Sequence, residues 1–585
     1  MNHPLIPRSE FDFLLHDWLD IGTQLERAGS DHARDMIDGL LDLTETLATE
    51  HFLPHYKAAD AQEPRLEADG VHIHPAIGVA LRHYAEAGLF AAGFPPDQGG
   101  LGLPYLACSA SFAQFAAANI ATAAYPMLTT ANARLIATFG TPTQIERFAR
   151  PQIAGRWFGT MCLSEPQAGS SLADVRTRAE PDGEDEHGRR FRLTGNKMWI
   201  SGGDQDASEN IVHLVLAKVP GADGRLIEGT RGISLFIVPK HLPDGARNDV
   251  VVAGLNHKMG YRGTANCLLN LGETGGATGW LVGEVGDGLR QMFQMMNEAR
   301  IGVGIGAAAL GLRAYRHSVA YAGERTQGRP IGVRDSAPVA IIAHPDVRRM
   351  LLQQKVYAEG ALALCLYCAQ LVDAQDDPGS AALLGLLTPI AKTWPSEYGL
   401  AACDIAIQIH GGYGYTRDFD VEQLYRDNRL NPIHEGTTGI QGIDLLGRKI
   451  LRDDGRGFAE LRARIEATRR LARHDPLLAP LADRLSEAWA RIEDGIARLR
   501  TIEGAAAYDN ATPFLWAFGH AVLGWLWLDI AARAGALDTL DPGFRAGKLH
   551  ACRFFFESEL PQVEAWLAPV AALSDIAASA TPEMF

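Results

Sequence analysis

A chain of 585 residues is too long for one hydrophobic core, and 47% apolar residues supply enough material for three or four domains. The formal net charge of −16 disfavours a nucleic-acid backbone as partner. Seven scattered cysteines, odd in number, read as reduced thiols of a cytoplasmic protein and exclude a disulfide framework.

The first residues, Met1 to Pro7, have neither a basic segment nor an apolar core, so no secretory signal is expected. Residues 1–155 read as a helical N-terminal domain. Apolar residues recur at helical spacing in 113–119 and 131–137, and the Gly/Pro-rich run Phe94–Gly100 is a loop between helices. From 156 to 280 the texture changes. Ile211–Ala217 and Gly232–Val238 are β-branched runs between turns, and the polar stretch Pro181–Gly188 joins two strands, which predicts a β-barrel.

Long helices return over 281–452, as in Val347–Tyr357, and predict a four-helix bundle. The CxxC of Cys365 and Cys368 lies in an alanine/leucine helix with no second ligand pair, so no metal is expected there. Past the Asp453–Gly457 junction, Leu485, Trp489, Ile492, Ile496 and Leu499 mark one helix face, so 453–585 reads as an additional helical C-terminal domain. Phe514–Leu528, with three tryptophans, is too short to span a bilayer and reads as a core helix. No transmembrane segment is expected. The fold class is therefore mainly α with a central β-barrel.

Five motifs carry the chemistry. In chain order they are Met161–Ser170 (MCLSEPQAGS), Gly195–Gly203 (GNKMWISGG), Arg325–Pro330 (RTQGRP), Gln408–Gly414 (QIHGGYG) and Pro432–Gln441 (PIHEGTTGIQ). The last sets Glu435 on a glycine-flanked bend. Burial at such a bend disfavours the charged form of a carboxylate and makes it a stronger base at neutral pH. There is no GxGxxG after a strand, no P-loop, no HExxH and no GxSxG.

Together these motifs resemble the acyl-CoA dehydrogenase flavoprotein family over about 81–450. The flanking Phe13–Leu19 and Met295–Arg300 look like its larger bacterial branch, which includes 3-methylthiopropanoyl-CoA dehydrogenases. The resemblance implies FAD as cofactor and α,β-dehydrogenation of an acyl-CoA, with electrons passed to an electron-transfer flavoprotein. It implies that Glu435 takes the Cα proton and that its N–H polarises the thioester with a flavin hydroxyl. Trp199 and Ser201 stand where family members meet the flavin ring, and Leu163 and Ser164 at its pyrimidine edge. Gly169 and Ser170 stand at the phosphates, with Ser170 also against substrate. Arg325, Gln327, Gln408, Gly411 and Gly412 match the loops that hold the FAD of a neighbouring subunit, which implies a homodimer or dimer of dimers. Asn297 and Arg300 match the helix that reaches CoA, Gly436 adjoins the substrate, and Thr437 and Gly439 touch FAD.

The chain departs from the family pattern at several points. His434 replaces a tyrosine, Asn297 an aspartate and Gly439 a glutamine. His344-Pro345 stands for His-Gln, and no phenylalanine follows Gln327. Two other activities fit the same fold: an acyl-CoA oxidase using O2, and a flavin-containing stress-response relative that binds nucleic acid. The excess of acids in 451–585 speaks against the second.

Overall fold

The computed structural model describes residues 5–27, 34–333 and 335–585; the side chains of Arg27 and of 293–296, which include Met295 and Met296, lie outside the description. The chain is 59% helical, with one large sheet. It divides into two compact units, Arg34–Ala299 on one side and residues up to 33 with Arg300–Phe585 on the other. The division falls within the long helix Gly288–Glu324.

In the unit Arg34–Ala299, the helix Tyr105–Phe139 is small and apolar along most of its length and is mostly buried. Its backbone breaks at Asn119 (φ −161°, ψ 92°). There the Asn119 amide donates to the Phe52 carbonyl at 3.2 Å and accepts from the Thr122 N–H at 3.3 Å, so the stretch is two helices, the second capped by asparagine. A short hairpin that the helical reading of 1–155 missed, β1 (Arg65–Glu67) with β2 (Gly70–His72), interrupts the helices. Its cue is Asp69-Gly70, with Gly70 at φ +142°.

The strands expected after 156 form an eight-stranded sheet: β3 (Trp157–Cys162), β4 (Arg178–Asp185), β5 (Gly188–Ser201), β6 (Asn210–Lys218), β7 (Ile233–Pro239), β8 (Val250–Leu255), β9 (Asn266–Leu271) and β10 (Ala277–Leu281). The order is β10-β7-β6-β4-β5-β9-β8, with β3 parallel to β6. β5 is long enough to pair with β10 through Arg190–Leu193 and with β9 through Gly195–Ser201. β6 and β7 are buried along their whole length, which is why they read as continuous apolar runs. Val212, Leu214, Leu216, Ile233, Leu235 and Ile237 form the core between sheet and helices.

The other unit is built on Pro345–Asp373, Pro378–His410 and the C-terminal part of Gly288–Glu324. Proline inside a helix leaves a carbonyl one turn back without its intrahelical donor; Pro395 does this to Ala391. Gly304 lies against that carbonyl, and Gly311 lies against Gly399, so the helices approach where a Cβ would collide. Helices Arg456–Ala472, Ala479–Leu499, Ala511–Gly535, Pro542–Phe554 and Gln562–Ala571 complete the unit. The predicted face of Leu485, Trp489, Ile492, Ile496 and Leu499 is buried.

Residues 5–27 belong to this unit because their apolar side chains find partners there. Phe11, Phe13, Leu14 and Leu15 are fully buried, and the Trp18 indole donates to Asp529 at 2.8 Å. The Lys548 ammonium, itself buried, joins Glu10 at 2.5 Å and Glu359 at 2.8 Å. Burial pushes the Glu359 carboxyl up, but Lys355 and Lys548 outweigh it and bring it to about 2; burial and Glu359 push Glu10 up. Cys365 and Cys368 are buried in Pro345–Asp373, and burial raises both thiols, so neither is a ready nucleophile. Two helical stretches, Pro345–Asp373 and Gly504–Gly535, are long and apolar enough to cross a membrane, but 89% of each apolar window is buried inside the protein.

Candidate active site

In the sheet-bearing unit, the first two motifs are locked together by a buried ion pair. Lys197 of β5 is 1% exposed and Glu165, in the turn after β3, is 4% exposed. Their charged atoms lie 2.9 Å apart. Glu165 also accepts from the Thr177 hydroxyl and N–H, the Arg176 N–H and the Gln167 amide. Lys197 also donates to the Leu163 and Leu216 carbonyls, and the Met198 N–H donates to the Ser164 carbonyl at 3.0 Å. Burial pushes the Glu165 carboxyl up, but Lys197 and Thr177 outweigh it and hold it below the usual range; burial pushes the Lys197 ammonium down.

The consequence is a shaped surface. Between Lys197 and Ile200 the β5–β9 register shifts, and Trp199 sits in that irregularity at φ +66°. A bulge re-aims a side chain, and this indole, 57% exposed, stands out of the sheet instead of in its core. Ser201, one pleat further, accepts from the Asn266 amide at 3.3 Å, which leaves its own proton to be donated. Leu163, Ser164, Trp199 and Ser201 therefore share one framework. Gly169 and Ser170 lie on the exposed part of the turn, with open space at Gly169.

In the helical unit, the third and fourth motifs meet. Arg325, Gln327, Gly411, Gly412 and Tyr413 line one cavity of about 460 Å³ with Tyr321, Ile341, Ile409, His410 and Thr416. The Arg325 guanidinium lies 5.9 Å from the Tyr413 ring centroid. Gly411 has φ +60°, and open space surrounds both glycines. Gln408 is exposed and is not among the lining residues. His344 stands at the N-cap position of the helix that Pro345 opens, with its Nε2 2.8 Å from the Gln327 carbonyl.

The fifth motif forms a strained turn in the same unit. Glu435 is left-handed at φ +53° and Gly436 follows at φ +92°. A non-glycine residue in that region must be held there by its surroundings. Gln441, itself buried, donates to the Glu435 carbonyl at 3.0 Å, and the fully buried Lys392 donates to the Gly436 carbonyl at 2.7 Å. A Cβ on Gly436 would stand 2.6 Å from the Gln441 amide, so this position needs glycine.

Burial raises the Glu435 carboxyl above the usual range, opposed by Arg300 and Lys392. Burial and Lys392 push the His434 imidazole down to about 3, so it is neutral and lies 3.1 Å from Asn431. Arg300 is 5% exposed, pairs with Asp444 at 2.9 Å, and has a buried Nε without a hydrogen-bond partner among the described residues. Asn297 is half-buried, Thr437 is exposed at the start of the helix Thr438–Ile443, and Gly439 is half-buried in it. A half-buried base carrying a raised proton affinity, faced by two cations, is arranged for proton abstraction next to a developing negative charge.

Sequence reasoning gave no role to Lys392, Glu397, Gln441 or Asp444, nor to the Lys197–Glu165 pair inside its own motifs. The available signal was a lone charge in an apolar stretch, since Lys392 sits within Leu383–Trp394.

Four domain descriptions match successive parts of the chain: acyl-CoA dehydrogenase N-terminal domain over 38–156, middle domain over 160–273, C-terminal domain over 286–451, and "acetyl-CoA dehydrogenase C-terminal like" over 458–580. The chain belongs to the acyl-CoA dehydrogenase family. It is 36% identical to the 3-methylmercaptopropionyl-CoA dehydrogenase of Ruegeria pomeroyi over 88% of this chain and 89% of that one. It is 33% identical to the broad-specificity linear acyl-CoA dehydrogenase FadE5 of Mycobacterium tuberculosis, over 91% and 90%. An acyl-CoA dehydrogenase from Bacillus anthracis, solved in complex with FAD, has the same fold, with a TM-score of 0.76 at 21% identity over 98% of this chain and 93% of that one. As an acyl-CoA dehydrogenase family member the chain is an oxidoreductase, and its helical region after 458 belongs to a described domain type.

Proposed function

We propose that the protein oxidises an acyl-CoA thioester to the trans-2-enoyl-CoA with FAD as cofactor, Glu435 removing the Cα proton. The observation that carries this reading is the Glu435 turn: a strained, partly buried carboxylate with raised proton affinity, facing Arg300 and Lys392. Bound FAD supplies the hydride acceptor at flavin N5.

The donor set fits that group. Trp199 offers an exposed aromatic face and Ser201 a proton to donate. Arg325 suits an anionic diphosphate, and the open glycines 411 and 412 leave room for close backbone approach by its adenosine. Gly169 and Ser170 would complete the phosphate contacts, with Leu163 and Ser164 at the ring edge and Thr437 and Gly439 beside the cofactor. The strand ring of β10-β7-β6-β4-β5 would act as the flavin-bearing barrel. Gly436 and Arg300, whose Nε has no hydrogen-bond partner among the described residues, would meet the acyl-CoA.

Electron-transfer flavoprotein is the acceptor we favour over O2. We also infer a homodimer or dimer of dimers, in which Arg325 and Gly411-Gly412 of one subunit serve the flavin of another. The two curated relatives act, by name, on 3-methylmercaptopropionyl-CoA and on linear acyl-CoAs, so short thioether and straight-chain acyl groups are the substrates to try first.

The test is anaerobic titration of the purified yellow protein with 3-methylthiopropanoyl-CoA and with straight-chain acyl-CoAs of increasing length. Bleaching of the flavin is expected with at least one; flavin that none of them reduces would overturn the dehydrogenation reading. Arg325→Ala is expected to lower flavin content after gel filtration by about tenfold or more, by loss of a charge-assisted contact. Unchanged flavin content would remove Arg325 from the cofactor site.

A further inference from the structure

Lys392 is 0% exposed, in the middle of the apolar helix Pro378–His410. A buried ammonium is kept only when what it holds outweighs its lost hydration. Its one direct hydrogen bond goes to the Gly436 carbonyl, the peptide next to Glu435. Burial brings its ammonium down to about 8, with Glu435 and Glu397 pulling it back up and Arg300 opposing them, so it is charged at neutral pH. On the same helix, Glu397 accepts from the Thr438 hydroxyl at 2.7 Å, so one position of the helix holds the Gly436 carbonyl and another the Thr438 side chain. Pro395 lies between them.

We propose that Lys392 is a positioning residue for the base: its buried ammonium holds the left-handed Glu435–Gly436 turn through the Gly436 carbonyl and supplies positive charge facing the Glu435 carboxylate. This rests on the reading of Glu435 as the Cα-proton base.

The charged and titratable groups around the carboxylate are few. Arg300 faces it from Gly288–Glu324, with its charge partly answered by Asp444. Lys392 faces it from Pro378–His410, where Glu397 is the nearest acid and is itself raised by burial. His434 of its own turn is neutral. Because Arg300 is already paired, Lys392 is the cation whose charge is not shared with a carboxylate within hydrogen-bond distance among the described contacts. Gln441 holds the Glu435 carbonyl but brings no charge, so the turn's shape and the base's ionisation are divided between two residues.

The experiment compares Lys392→Met, Lys392→Gln and Lys392→Arg with the wild-type holoenzyme, following the pH dependence of kcat and KM. A cation near a carboxylate favours its ionised form, so removing it raises the proton affinity of the base. The expected result for Met and Gln is an acid limb of kcat displaced upward by roughly one pH unit, with kcat at pH 7 reduced by about tenfold or more. KM and flavin spectrum are expected to hold, and Arg is expected to restore the limb. An unmoved acid limb in folded, flavin-loaded Met or Gln variants overturns the inference. Failure of Met and Gln to fold while Arg folds assigns Lys392 a purely structural role and overturns it as well. Glu435→Gln run in parallel separates the two readings. If it keeps activity the base assignment falls; if it is inactive and the Lys392 limb is unmoved, only the present inference falls.

Discussion

Glu435→Gln is expected to keep yellow, FAD-loaded protein that still binds acyl-CoA, and to lose turnover by about 10³-fold or more, the scale of a sole general base. Glutamine matches the shape of glutamate and leaves the backbone turn, with its Gln441 and Lys392 contacts, undisturbed. It removes only the proton acceptor. Stopped-flow bleaching of the flavin under anaerobic conditions separates the lost chemical step from binding. The wild-type rate should also rise with pH through a limb above the ordinary carboxylate range, because burial raises Glu435 more than its two cations lower it. Near-normal bleaching by the glutamine variant would remove Glu435 from the mechanism.

The second large effect is expected at Lys197→Met, in the sheet. Breaking a buried pair by removing one partner leaves an uncompensated charge and costs about 3–5 kcal/mol. Here Glu165 would keep its four other donors but lose the cation 2.9 Å away. Because Lys197 also fastens the Leu163 carbonyl, the same change should loosen the turn of Leu163 and Ser164 and release flavin. Thermal unfolding followed by flavin fluorescence checks both consequences together. The pair has a pH signature too. Glu165 is held below the usual carboxylate range, so its contribution is complete above that range and is lost as pH falls through it. Glu165→Gln should flatten this acid-side loss. A Lys197→Met protein with wild-type unfolding midpoint and flavin retention would show that the pair is dispensable.

Much of the site was legible in the chain because its backbone demands leave traces. Glu435-Gly436 needs a left-handed turn and Gly411 a positive φ, and glycine at such places reports geometry directly. Trp199 stood out as a candidate flavin contact only through its neighbours; its exposure depends on a register shift between β5 and β9 that no local pattern announces. The hairpin of β1 and β2 was missed because its strands are three residues each and polar, although Asp69-Gly70 marks the turn. The helical spacing of 113–119 ends at Asn119, where the backbone breaks, but the break itself follows from the Phe52 carbonyl that the asparagine holds, which local spacing does not record.

The sequence by itself determined the helix–strand–helix order and the family, since these rest on periodicity and on residue types set at fixed spacing, and it singled out Glu435 as the candidate base. Tertiary structure alone decided what surrounds the base. Lys392 and Arg300 come from helices far from Glu435 in sequence, and only packing brings them to its turn, whereas Gln441 and Asp444 follow it closely along the chain. It likewise decided that residues 5–27 belong with the C-terminal helices, through Lys548–Glu10 and Trp18–Asp529, contacts more than 500 residues apart in sequence. Burial and charge set the proton affinity of a group, and both are properties of neighbours in space, which linear order does not record.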